Sequence, residues 1–178
     1  MAYGKWHQGK YLVINRDKYI GDPDNCTFRS SWERVMCKWL DETDHILKWQ
    51  SEEQRIPYMS PVDGRRHDYV LDFAFWANTA TGVKKFMIEV KPESQTKEPR
   101  KGPNESEYTF QERVKEWLIN QAKWKAARAL AEADGSEFVV LTEKHIMPSQ
   151  HSIKPYKAPK AKVKNNANAN RKTPPKTR

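Results

Sequence analysis

Apolar residues recur along this chain with two different periods. Trp32, Val35, Met36, Trp39 and Leu40 share the one-sided spacing of a helix and predict one over residues 31–41. Ser30 stands where an N-cap belongs, and Glu33, three residues later, can close a capping box. A second helical pattern places Phe110, Val114, Trp117, Leu118, Trp124, Leu130 and Ala131 along one side and predicts a long helix over 110–133, stopped by Gly135. Between the helices the period shortens to two. Strand-like pieces fall at 46–49 and at 54–58, where Pro57 suits an edge or a strand end, followed by a turn-rich link at 60–66. Residues 67–76 are the clearest strand. Tyr69, Leu71, Phe73 and Phe75 alternate with Val70, Asp72, Ala74 and Trp76, so both faces are covered. A short link at 79–82 leads to a strand over 83–91, and 137–142 reads as a final buried strand. Residues 1–28 fit a leading strand or an arm laid on the core, and 92–106, charged and without period, reads as a mobile loop. Helix, strands, helix, strand is the order of one mixed α/β domain over residues 1–147.

Charge separates that domain from the C-terminal segment. Of 32 Lys and Arg, nine lie in residues 148–178, which hold no Asp or Glu. The whole net charge of +9 therefore belongs to the tail. Five prolines and an Asn/Ala run leave this segment too little apolar surface to offset its ordering entropy, which predicts a disordered basic arm. Lys154, Lys157, Lys160, Lys162 and Lys164 suit contacts with phosphates; docking to an acidic protein surface and simple solubilisation are the other uses of such an arm. Two cysteines, Cys26 and Cys37, without metal-ligand spacing argue against a disulfide scaffold or a structural zinc. No apolar run is long enough for a membrane helix and no signal-peptide pattern opens the chain, so a soluble protein in a reducing compartment is expected, with no membrane partner.

The chemistry concentrates on one hairpin. A four-residue link at 79–82 pairs residues whose numbers add to 161, which sets Asp72 directly opposite Glu89. Opposed residues share a face with Cβ atoms about 5 Å apart. Lys91 follows on the same face, about 7 Å along the strand. Opposed like charges destabilise a sheet, and when partly buried they must pair, take up a proton or hold a cation. A hard divalent ion with oxygen ligands suits two carboxylates. The bland reading is a solvated surface ion pair, and it fits poorly beside Val70, Ala74 and Met87 on that face. Asp68 lies about 13 Å along the strand from Asp72, too far to share an ion with it.

Asp72 followed after one hairpin by Glu89-Val90-Lys91 resembles the signature of the PD-(D/E)xK nucleases, with Leu71 where the motif's name has proline. Glu33 on the preceding helix matches the family's helical acid, and the order of elements over about residues 28–142 matches its core. The Phe28-Arg29-Ser30-Ser31-Trp32-Glu33 opening and the Trp-rich core are similar, more narrowly, to the head completion nucleases of T-even-like tailed phages, with TnsA-type transposase nucleases as near neighbours. The resemblance implies a restriction-endonuclease-like α/β core: a mixed central sheet flanked by helices, here with a disordered basic C-terminal tail. It implies a deoxyribonuclease that hydrolyses double-stranded DNA using Mg²⁺ or Mn²⁺. Asp72, Glu89 and Glu33 would be metal ligands and Lys91 the catalytic lysine. It further implies a phage protein acting on packaged DNA or its end during virion assembly, in the host cytoplasm or the virion, with head or portal-neck proteins as partners. Two other readings stand beside this one: a non-catalytic virion or DNA-end-binding protein, and a TnsA-like or junction-type recombination nuclease.

Further positions carry two readings each. Glu33 is either a capping residue or a site acid. Gln121, four after Trp117, either reaches the site as an auxiliary group or is a satisfied core glutamine. Lys125 either contacts DNA or snorkels at the surface. Lys97, Arg100 and Lys101 either close over a DNA backbone or belong to a solvated linker balanced by nearby glutamates. Deleting residues 148–178 should weaken DNA binding and flatten its dependence on salt. An unchanged slope of log affinity against log salt in the truncated protein would rule out the arm as a phosphate contact.

Overall fold

The computed structural model describes residues 8–147. The expected disordered arm, with Lys154, Lys157, Lys160, Lys162 and Lys164, lies outside the described residues. Two short strands, β1 (Gly9–Lys10) and β2 (Thr27–Phe28), pair around a 3-10 turn at Arg16–Lys18 and lead into helix α1 (Ser31–Glu42). Then come β3 (Ile46–Ser51), β4 (Arg55–Met59), β5 (Arg66–Val70), β6 (Phe73–Thr79) and β7 (Gly82–Val90). A one-turn helix α2 (Glu93–Thr96), the long helix α3 (Glu107–Asp134), β8 (Glu137–Leu141) and a one-turn helix α4 (Glu143–Ile146) complete the order. The central sheet runs β3-β6-β7-β8, antiparallel except for the parallel β7–β8 pair, whose crossover is supplied by α3. This is the mixed α/β architecture that the periodicity predicts, with a restriction-endonuclease-like sheet between helices.

Alternation along β6 and β7 divides the interior in two. Phe73, Phe75 and Ala77, with Ile88 and Val90, face Met36, Cys37 and Leu40 of α1 and Trp49 of β3. Ala74 and Met87 face Ala127 and Ala131 of α3 on the other side. Ser30 caps α1 by accepting the Glu33 N–H at 3.2 Å. Gly135 ends α3 at φ 71°, in the left-handed region where a β-carbon is unfavourable. The apolar side of α1 is turned relative to the predicted stripe: Cys37 and Asp41 are buried, whereas Val35 and Trp39 are more than a third exposed. Packing of the N-terminal arm against α1 draws that face inward.

The predicted strand over 67–76 is two strands. Leu71 N–H donates to Gln54 O, but Asp72 O accepts from Glu52 N–H. At Leu71–Asp72 the chain thus exchanges β4 for β3 as its hydrogen-bonded neighbour. Glu52, in the facing chain, bends at φ 56°, a left-handed conformation for a non-glycine residue. Tyr69 and Leu71 consequently join the α3-side core with Ala74, although Phe73, next in their period-two series, faces α1. The expected mobile loop at 92–106 is pinned instead. Glu93 N–H donates to Glu143 at 2.9 Å, and Arg113 reaches back from α3 to Glu105 at 2.6 Å. Among the described residues no helix is long and apolar enough to cross a membrane.

Asp41 fastens the arm. Its fully buried carboxylate accepts from Tyr11 Oη at 3.1 Å and from the backbone N–H groups of Ile14 and Asn15 at 2.8 and 3.0 Å. Replacing it by asparagine sets an amide donor against those donors. Asp41→Asn should lower the unfolding free energy by roughly 2–4 kcal/mol in urea titration. A change below about 0.5 kcal/mol would show that the arm does not depend on this carboxylate.

Candidate active site

The β6–β7 register pairs Phe73 with Ile88 and Thr79 with Gly82. The connecting turn is two residues, Ala80-Thr81, shorter than the predicted four, but the pairing numbers are unchanged. One step beyond Phe73–Ile88, Asp72 stands opposite Glu89, as the hairpin count requires. Asp72 sits at the bend between β5 and β6, where its Oδ2 accepts the Val90 N–H at 2.7 Å. Among the described residues its Oδ1 accepts no hydrogen bond.

Glu89 is only 2% exposed. Its Oε2 accepts from Tyr69 Oη at 2.5 Å, and its Oε1 lies 3.1 Å from Lys91 Nζ. Both oxygens are therefore held in fixed orientation, each with a lone pair to spare. Burial, and then the facing Glu89, push the Asp72 carboxyl well above the usual carboxylate range. Burial alone would draw a proton from Lys91, but Glu89 and Asp72 outweigh it and hold the ammonium above its ordinary pKa. Burial, with Glu89 adding to it, also raises the Tyr69 phenol, which stays a donor. Ionised together, the two carboxylates would exceed the single ammonium by one charge, and the raised Asp72 carboxyl leaves that excess to a proton. A hard cation between Asp72 and Glu89, using the open Asp72 oxygen, would fit in the proton's place.

Glu33, expected as a third ligand, is not brought into that pair. Its Oε1 accepts from Ser30 Oγ at 2.9 Å and its Oε2 from Arg29 N–H at 2.7 Å. Among the described residues no three Asp, Glu, His or Cys side chains approach closely enough to hold one ion. The start of α1 thus orients both carboxylate oxygens of Glu33, and its charge still reaches Asp72 and Lys91 from the rim.

The Gln121 side chain makes no hydrogen bond among the described residues. Lys123, two residues further on, is an α3 side chain that reaches the aromatic rings beside Glu89. At about 100° per residue the two lie on nearly opposite sides of α3. Lys123 Nζ stands 5.6 Å above the Tyr69 ring and 5.8 Å above the Tyr58 ring. Burial, followed by the nearby Lys91, lowers its proton affinity. Lys97 and Lys101 spend their charge on Glu93 at 2.8 Å and Glu107 at 2.5 Å, and Arg100 has no acidic partner among the described residues. Lys125 is exposed on α3.

Neither Tyr69 nor Lys123 is legible as a site residue in the sequence. An unbroken strand would set Tyr69 opposite Pro92 and on the reverse face from Asp72; the bend alone turns its hydroxyl to Glu89. Lys123 carries no signal beyond a lysine beside the buried Trp124.

Acid, acid and lysine gathered at the end of a bent β-ribbon in a mixed sheet define a nuclease core. The TnsA-like endonuclease N-terminal family matches residues 43–143, more than half of the chain, and the chain belongs to that family. A head completion nuclease of Enterobacteria phage T4 is 38% identical over 146 residues, covering 80% of this chain and 93% of that protein. No solved structure matches the chain.

Tyr69→Phe should leave a buried carboxylate oxygen of Glu89 without its donor and lower the unfolding free energy by about 1–3 kcal/mol. Denaturant titration showing equal stability would mean that this hydrogen bond does not orient Glu89.

Proposed function

We propose that this nuclease hydrolyses phosphodiester bonds of double-stranded DNA with Mg²⁺ or Mn²⁺ held between Asp72 and Glu89. The observation that carries the reading is the convergence of Asp72, Glu89 and Lys91 from two paired strands, with Glu89 buried. Bound there, the ion would supply Lewis-acid polarisation of a phosphate oxygen. Val90 N–H and Tyr69 Oη fix the two carboxylates so that they meet the cation without rearrangement. Lys91 keeps its proton beside them, so it serves as a charge stabiliser rather than as a base. Its ammonium opposes the negative charge that grows on the phosphoryl oxygens as the bond to the leaving oxygen breaks.

The near full-length coverage of the phage head completion nuclease supports a role in virion assembly over one in recombination. In that role the protein would act on packaged DNA or its end in the infected host cell, beside head or portal-neck proteins.

Asp72→Asn and Lys91→Met should each reduce nicking or linearisation of supercoiled plasmid at least about 100-fold. Their unfolding transitions should remain cooperative. Excess chelator should stop the unchanged protein, and added Mn²⁺ should restore it. Full cleavage by either variant, or cleavage undiminished by chelator, would end the reading.

A further inference from the structure

Across much of this molecule, basic side chains are held by acids. Arg16 pairs with Asp24, Lys84 with Glu137, and Arg113 with Glu105, each within 2.8 Å. Elsewhere unpaired cations such as Lys10, Arg34 and Arg100 are scattered, but several gather where the β4–β5 hairpin meets α3: among the described residues Arg55, Arg65, Arg66, Lys123 and Lys125 have no carboxylate partner.

Between this hairpin and α3 lies an open groove of about 690 Å³. Tyr58, Met59 and Arg66 line it from the hairpin, and Ala122, Lys125 and Ala126 from the helix. The alanines, one helical turn apart, keep the helix wall low. Arg66 and Lys125 bring a cation to each wall. At the inner end, Tyr58 is shared with the site: Lys123 Nζ lies 5.8 Å from its ring and 5.6 Å from that of Tyr69, whose hydroxyl holds Glu89. The groove thus begins two side chains from the catalytic carboxylates.

We propose that this groove binds the sugar–phosphate backbone of the DNA beyond the bond being cut, with Lys123 at its inner end and Arg66 and Lys125 on its walls. An apolar floor between unneutralised cations suits a strand that alternates sugar faces with phosphates. Continuity with the carboxylate pair favours the substrate over an acidic protein segment as the occupant. The inference rests on the nuclease reading for the identity of the bound strand, but its test does not need cleavage.

The experiment is fluorescence anisotropy of a labelled DNA duplex with the full chain in chelator, at several salt concentrations. The Arg66→Ala/Lys125→Ala double variant should bind about tenfold more weakly, and its slope of log affinity against log salt should fall by about 2, near one for each phosphate that is no longer neutralised. Lys38→Ala, on the exposed side of α1 and paired with Glu42, should bind as the unchanged protein does. Equal affinity and equal slope in the double variant would overturn the groove as a DNA track, as would the same loss in Lys38→Ala. An unchanged protein that binds duplex with the expected slope differences but never cleaves it with Mn²⁺ would sink the nuclease reading and leave the groove standing.

Discussion

Two carboxylates that face each other at the end of an apolar sheet set the terms for the rest of this molecule. Glu89 is buried and Asp72 half-buried, and Glu89 raises the cost of charge on Asp72. The fold answers with fixed donors: Tyr69 and Lys91 on Glu89, and the Val90 amide on Asp72. These groups orient the acids without supplying a second counter-charge, so the Asp72 carboxyl is held well above the usual carboxylate range. The proposed cation would take the place of that proton.

The bend between β5 and β6 makes that arrangement possible. Were residues 66–79 one regular strand, Tyr69 and Asp72 would lie on opposite faces. Exchange of neighbouring strands at Leu71–Asp72, matched by the left-handed Glu52 opposite, rotates β5 and carries Tyr69 and Leu71 to the α3 side. The same rotation swings the β4–β5 hairpin out of the central sheet and sets it beside α3. Lys123 comes to rest between Tyr58 and Tyr69, and the open groove forms. Site and groove are thus two consequences of a single backbone event.

On the opposite side, α1 and the N-terminal arm supply the counterweight. Glu33 shows how a residue can be drawn to one of two duties. It starts α1 by accepting from Ser30 and Arg29, which holds it at the rim of the site, where its charge still acts on Asp72 and Lys91. Asp41, at the other end of α1, gives its whole carboxylate to the arm. Asp72 and Glu89, by contrast, face each other across a strand pair with one ammonium between them.

What the sequence determined by itself is whatever depends on local periodicity. The helices predicted over 31–41 and 110–133, the hairpin after Thr79 and the confrontation of Asp72 with Glu89 follow from spacing, because helix faces and antiparallel register are counted in residues. A change in turn length from four residues to two left the pairing intact, since both turns are centred on the same point. Three things were decided only in the tertiary structure. One is the break in the predicted strand over 67–76, which depends on which strand pairs beside each half. Another is the pinning of 92–106, whose glutamates look like solvated charge until Arg113 and Lys144 arrive from distant segments. The last is the place of Lys123 beside the Tyr58 and Tyr69 rings. The helix repeat gives its direction on α3 but cannot say what that direction faces; that is settled by how α3 packs against β4, a contact between residues more than sixty positions apart in the chain.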